Sequence, residues 1–194
     1  MAAARKADLR RTTRETDIRV SLCLDGGEVE ISTGIGFFDH MLEALAVHGG
    51  LGLKVSARGD LQVDCHHTIE DTGILLGKAL AEAVGDRAGI ARYGSFFIPM
   101  DEALAACHLD ISGRPYLVFQ GGFPEERVGG FDTCMTEEFM RAFCVNGGVT
   151  LHISCPYGKN SHHMIEAMFK ALAHALRIAL APTAGGALST KGVL

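Results

Sequence analysis

The side chains best suited to chemistry in this sequence are two double histidines, His66-His67 and His162-His163, each followed by a glutamate, Glu70 and Glu166. The surrounding segments, Asp64-Cys65-His66-His67-Thr68-Ile69-Glu70 and Asn160-Ser161-His162-His163-Met164-Ile165-Glu166, match at an offset of 96 residues. On a helix, His66 and Glu70 are four apart and share a face, whereas His67 points roughly 100° around the axis. An i, i+4 pair can chelate one ion while the neighbouring imidazole is presented to another, so two such segments supply two metal sites. His40 and His152 add imidazoles from other elements, since Leu151-His152-Ile153 reads as a strand with its histidine on one face. A lone histidine near a helix start is ordinarily a cap or a surface residue. Matched recurrence in a chain with only 9 histidines moves the reading to ligation. Imidazole with carboxylate suits manganese, iron, cobalt or zinc, and ligand chemistry alone leaves the choice open. His48, His108 and His174 are expected to be structural or substrate-facing.

A second set of residues is cationic or hydroxylic: Arg92, Arg114, Lys170 and the run Ser189-Thr190-Lys191. Together they could grip a phosphate, and Lys170 follows Glu166 by one helical turn, which places it with the ligands. The tail could close as a flap over an anion. Glu15 is the acid-base candidate, although by sequence alone it is an ordinary charge at a strand start.

These side chains need elements to hold them. The offset repeat continues through Ala79/Ala175 and Leu80/Leu176, and Phe38-Asp39-His40 resembles Phe131-Asp132-Thr133, so the chain divides into half-repeats at 1–92 and 93–194 within one compact catalytic unit. Alternation in Ile18-Arg19-Val20-Ser21-Leu22 and Leu51-Gly52-Leu53-Lys54-Val55 predicts half-buried strands. Apolar spacing of three and four predicts helices over Met41 to Val47, Thr68 to Val84, Thr136 to Phe143 and Met164 to Leu180. Asp25-Gly26-Gly27 reads as a hairpin turn. Four helices with about eight strands, the helices in separate blocks, give an α+β fold with mostly antiparallel sheets. The segment from Ala184 to Leu194 is expected to be a loose tail.

Bulk properties narrow the classes. Hydrophobic residues make up 47% of the 194 residues and charged ones 21%, which excludes an intrinsically disordered chain. No apolar run is long enough to span a bilayer, and no secretory signal is visible, so the expected setting is cytoplasmic. The 6 cysteines include no C-x-x-C pair and read as reduced thiols. A formal net charge of -5 offers no long-range attraction for nucleic acid or anionic membranes.

The order of these motifs resembles the imidazoleglycerol-phosphate dehydratase family. The resemblance is carried by Arg14-Glu15-Thr16, by Gly34 through Leu42, by Asp64 through Asp71, by Pro99-Met100-Asp101-Glu102-Ala103, by Ser112-Gly113-Arg114-Pro115, by Asn160 through Lys170 and by Ser189-Thr190-Lys191-Gly192. Cys65 stands where an acidic or small residue is expected, and Leu188 where a proline is expected. The resemblance implies a duplicated half-motif with helices packed between two sheets (ribosomal protein S5 domain 2-like). It also implies two Mn2+ per active site, and trimers that build a 24-subunit shell with active sites at subunit interfaces. By position, His40, His66, His67, Glu70, His152, His162, His163 and Glu166 would be ligands. Arg92, Arg114, Lys170, Ser189, Thr190 and Lys191, with Glu15 and His48, would hold the substrate.

The implied reaction is hard because the proton to be lost sits on the side chain of an imidazole, with no carbonyl to acidify it. Metal ions on both ring nitrogens would stabilise an imidazolate and let the ring expel hydroxide. Glu15 is then the proton-transferring carboxylate, with His40, His67, Glu70, His163 and Glu166 completing the catalytic set. Residue chemistry without the resemblance stops at a dimetal enzyme with an anionic substrate. A phosphate-ester hydrolase and a metal-assembled scaffold are the competing classes.

Overall fold

The computed structural model describes residues 5–186, 188 and 189. Thr190 and Lys191 lie outside the described residues. Alternating apolar residues build the first sheet: in β2 (Thr16–Cys23) Ile18, Val20 and Leu22 are buried while Arg19 and Ser21 face outward. With β1 (Lys6–Thr12), β3 (Val29–Ser32) and β4 (Gly52–Gly59) it forms a four-stranded sheet in the order β1-β2-β4-β3. Within it β3 is parallel to β4 and the other pairings are antiparallel.

The second sheet has the corresponding order. Here β5 (Tyr93–Met100), β6 (Ala103–Asp110), β7 (Tyr116–Gln120) and β10 (Thr150–Tyr157) lie as β5-β6-β10-β7, with β7 parallel to β10. A short ribbon, β8 (Arg127–Val128) with β9 (Phe131–Asp132), is additional to the eight sheet strands.

Among the described residues, four helices fill the space between the sheets: α1 (Gly36–Gly49), α2 (His66–Val84), α3 (Met135–Gly147) and α4 (Ser161–Ala179). α2 lies against β1, β2 and β4, α4 against β5, β6 and β10, and the helices meet as α2 with α3 and α1 with α4. Phe38, Phe131, Phe139, Phe143, Phe169, Met41, Leu42 and Ile69 are fully buried where these layers meet. Burial of such side chains, each contributing about 1.5–3 kcal/mol, holds the ligand-bearing helices in place.

Two details differ from the sequence expectation. α1 starts at Gly36, five residues before Met41, because the Asp39 carboxylate accepts hydrogen bonds from the Thr33 backbone N–H at 2.8 Å and its hydroxyl at 2.5 Å, tying the helix start to the end of β3. His40 therefore sits on a helix. The turn Asp25-Gly26-Gly27 is not the bend of a paired hairpin, since the strand it leads to, β3, pairs with β4 and not with β2. The close crossing here requires glycine at position 52, where a side chain would come within 2.8 Å of the Gly26 carbonyl, while Gly26 and Gly27 are suited to their positive φ angles of 92° and 147°. Within the two four-stranded sheets, hairpins turn at Thr13-Arg14-Glu15 and at Asp101-Glu102.

Candidate active site

The two double-histidine segments open α2 and α4, and both openings are capped at the corresponding position. Asp64 accepts from the His66 N–H at 2.8 Å, and Asn160 accepts from the N–H groups of His162 at 2.9 Å and His163 at 3.4 Å. Capping fixes the first turn, so the two histidines of each pair point in different directions. Ring planes are 75° apart for His66 and His67 and 83° apart for His162 and His163.

The first histidine of each pair meets its own glutamate. His162 Nε2 lies 3.1 Å from Glu166, and His66 Nε2 lies 3.6 Å from Glu70. α1 then brings His40 to within 3.4 Å of Glu166. Among the described residues, His40, His162 and Glu166 form a group of possible metal-ligand atoms lying within 4.8 Å of one another. Lys170 approaches the other oxygen of Glu166 at 2.7 Å. Burial raises the Glu166 pKa, but the hydrogen bond and charge of Lys170 outweigh it and leave the carboxyl below its ordinary range. This is an ionised carboxylate flanked by two imidazoles.

The second histidines face other carboxylates. His67 Nδ1 is 3.0 Å from Asp60 and its Nε2 is 3.9 Å from Glu15. His163 Nδ1 is 2.8 Å from Glu102 and its Nε2 is 3.8 Å from Asp101. Hydrogen bonding to Asp60 raises the His67 pKa, and hydrogen bonding to Glu102 does the same for His163. Glu102 is held at about 2 by His163 and by the backbone N–H groups of Lys159 and Asn160. Asp60, Asp101 and Glu102 were not among the site residues expected from sequence. The hairpin acids belong to a quoted motif, whereas Asp60 precedes its histidine by seven residues in a loop and leaves no helical signal.

Other candidates are placed apart from the three-residue group. His66 lines a cavity of about 470 Å³ with Glu137 and Glu138 of α3, two more carboxylates the sequence reading did not single out. His152 projects from the outer face of the second sheet, in register with His108 of β6, and is not brought to His40, His162 and Glu166 within one chain. His48, on α1, lies 5.4 Å from the ring of His174, which stacks on Phe96 at 4.4 Å. Burial lowers the His48 pKa, with the nearby Lys170 and His174 adding to it.

The cations divide into two groups. Arg92 is buried and donates to both oxygens of Asp110 at 2.7 and 3.0 Å, and Arg114 reaches the same carboxylate at 3.6 Å. Arg92 also donates to the Leu188 carbonyl at 2.5 Å, which brings the segment ending in Ser189 to the guanidinium. Lys170 instead belongs to the Glu166 group. Of the cysteines, Cys107 and Cys144 are buried among apolar side chains, and burial pushes the Cys144 thiol up to about 12, so it stays protonated.

Comparison with known proteins places these residues in a family context. A family model described as imidazoleglycerol-phosphate dehydratase matches residues 33–176. The imidazoleglycerol-phosphate dehydratase of Lacticaseibacillus casei is 56% identical over 193 residues, 98% of this chain and 100% of the relative. That of Gluconobacter oxydans is 51% identical over 198 residues, all of both chains. Among solved structures, the enzyme of that name from Staphylococcus aureus superposes with a TM-score of 0.84 at 44% identity, over 92% of this chain and 99% of its own. A complex of the Pyrococcus furiosus protein also gives 0.84, at 39% identity, over 96% and 100%.

Proposed function

The chain belongs to the imidazoleglycerol-phosphate dehydratase family, hydro-lyases of histidine biosynthesis, and we propose that it dehydrates its substrate with two Mn2+ ions held at interfaces between copies of itself. The observation that carries the metal part is the group His40, His162 and Glu166, two imidazole nitrogens and a carboxylate oxygen within 4.8 Å of one another. Three donors are fewer than the roughly six that manganese prefers. His66 with Glu70 is a second partial set. Ligands from neighbouring copies would complete both, with His67, His163 and His152 as the remaining donors. Trimers assembling into a 24-subunit shell, and a cytoplasmic setting, belong to the same reading. Among the described residues, no helix is long and apolar enough to cross a membrane.

Such ions, held by these histidines and glutamates, would supply electron withdrawal from the substrate's imidazole ring. The chain's own residues do the rest. Arg92 and Arg114, with Ser189, Thr190 and Lys191 of the tail, hold the phosphate, and Lys170 and His48 line the approach from α4 and α1. Glu15 takes the proton from the side-chain carbon of the substrate. The hydroxyl on the carbon beside the ring leaves as water, and the enol so formed rearranges to the ketone of imidazoleacetol phosphate.

The test is to supply the purified chain with imidazoleglycerol phosphate, with and without manganese, and to identify the product. Metal-dependent imidazoleacetol phosphate is the expected result. Release of inorganic phosphate would instead make the protein a hydrolase, and no turnover with saturating metal would overturn the reading.

A further inference from the structure

The second histidines, His67 and His163, are held in the same way by carboxylates from places that do not correspond in the two sheets. Asp60 follows β4, whereas Glu102 sits on the β5–β6 hairpin. After β10, the strand corresponding to β4, the chain has Gly158 and Lys159 and no acid. On the β1–β2 hairpin, which corresponds to that of Glu102, stands Glu15. Glu102 is fully engaged, accepting from His163 Nδ1 at 2.8 Å, Asn160 N at 2.9 Å and Lys159 N at 3.0 Å. Glu15, 52% exposed in its side chain, has His67 Nε2 at 3.9 Å as its ion-pair partner among the described residues.

An ionised carboxylate only accepts hydrogen bonds, so its partner nitrogen must carry the proton. Asp60 and Glu102 therefore fix Nδ1–H on their histidines and leave the Nε2 lone pair pointing away. We propose that Asp60 and Glu102 are positioning residues that set Nε2 as the metal-facing atom of His67 and His163, and that Asp60, by taking this task in the first half, leaves Glu15 free for proton transfer. The proposal rests on the metal reading above. Carboxylates behind ligating histidines typically contribute about 10- to 100-fold in metal affinity.

The measurement is calorimetric titration of Mn2+ alone into the metal-free full chain, for wild type, Asp60→Asn and Asp60→Ala, with Glu102→Gln alongside. We expect weakening of about tenfold for Asp60→Asn and up to about 100-fold for Asp60→Ala, the amide acting as a partial rescue because its oxygen still accepts. Melting temperatures of the metal-free proteins should stay together, which a merely structural role for Asp60 would not allow. Wild-type affinity in Asp60→Ala overturns the proposal; if that variant does not fold, wild-type affinity in Asp60→Asn does. A wild-type chain that takes up no manganese would instead sink the metal reading itself.

Discussion

Glu15 and Glu102 stand on corresponding hairpins yet differ in what they can do. Glu102 is locked by three donors, whereas the ion-pair partner of Glu15 among the described residues is His67, at 3.9 Å. A carboxylate that must accept and release a proton cannot be saturated with fixed donors, because each stabilises the ionised form and weakens the base. Replacing Glu15 with Gln should therefore cost about 10²- to 10⁴-fold in kcat while leaving manganese uptake and particle size unchanged. Single-turnover assays with size analysis check this, and normal turnover would remove Glu15 from the mechanism. At this scale the sequence was most legible where spacing carried the signal: His162 with Glu166 and His66 with Glu70 follow from the helical period alone. Asp60 and Asp110 were not legible, because each meets its partner through loop or strand-end geometry that no local period encodes.

At the scale of elements, the helices that carry ligands depend on close approach. Gly77 of α2 faces α3, and a side chain there would come within 2.5 Å of the Phe143 carbonyl and 2.9 Å of the Gly147 N–H. Both contacts are backbone and cannot swing away. Gly77→Ala should destabilise the protein by about 1–3 kcal/mol, lowering the melting temperature by about 2–4 °C per kcal/mol, in spite of the better helix propensity of alanine. A variant as stable as wild type would show that α2 and α3 are less tightly packed than described. The first hairpin carries its own pH signature. Arg10 and Thr12 hydrogen-bond Asp17 and lower its carboxyl from 3.8 to about 2, so its stabilising contribution is complete above pH 3.8 and is lost as pH falls toward 2. Acid unfolding of Asp17→Asn should be flatter through that window, by a small amount because the pair is exposed. Helix positions and the apolar strands were readable from periodicity. The β3 pairing was not: a glycine turn specifies a bend, while the partner strand is chosen by the sheet as a whole.

For the whole molecule, the two sheets share one strand order, and each half contributes a capped helix opening with His-His-x-x-Glu. Among the described residues, one chain nevertheless gathers only His40, His162 and Glu166 closely, with His66 and Glu70 as a separate pair and His152 on an outer sheet face. The proposed sharing of sites between copies would need such a distribution, and no single-chain sequence pattern indicates which donors would meet across an interface. The most direct measurement is anomalous diffraction at the manganese edge from crystals of the manganese-loaded protein. Two peaks per chain are expected, one bonded to His40, His162 and Glu166 and one to His66 and Glu70, each completed by histidines of a neighbouring copy. Peaks elsewhere, or ions bound wholly within one chain, would contradict that expectation.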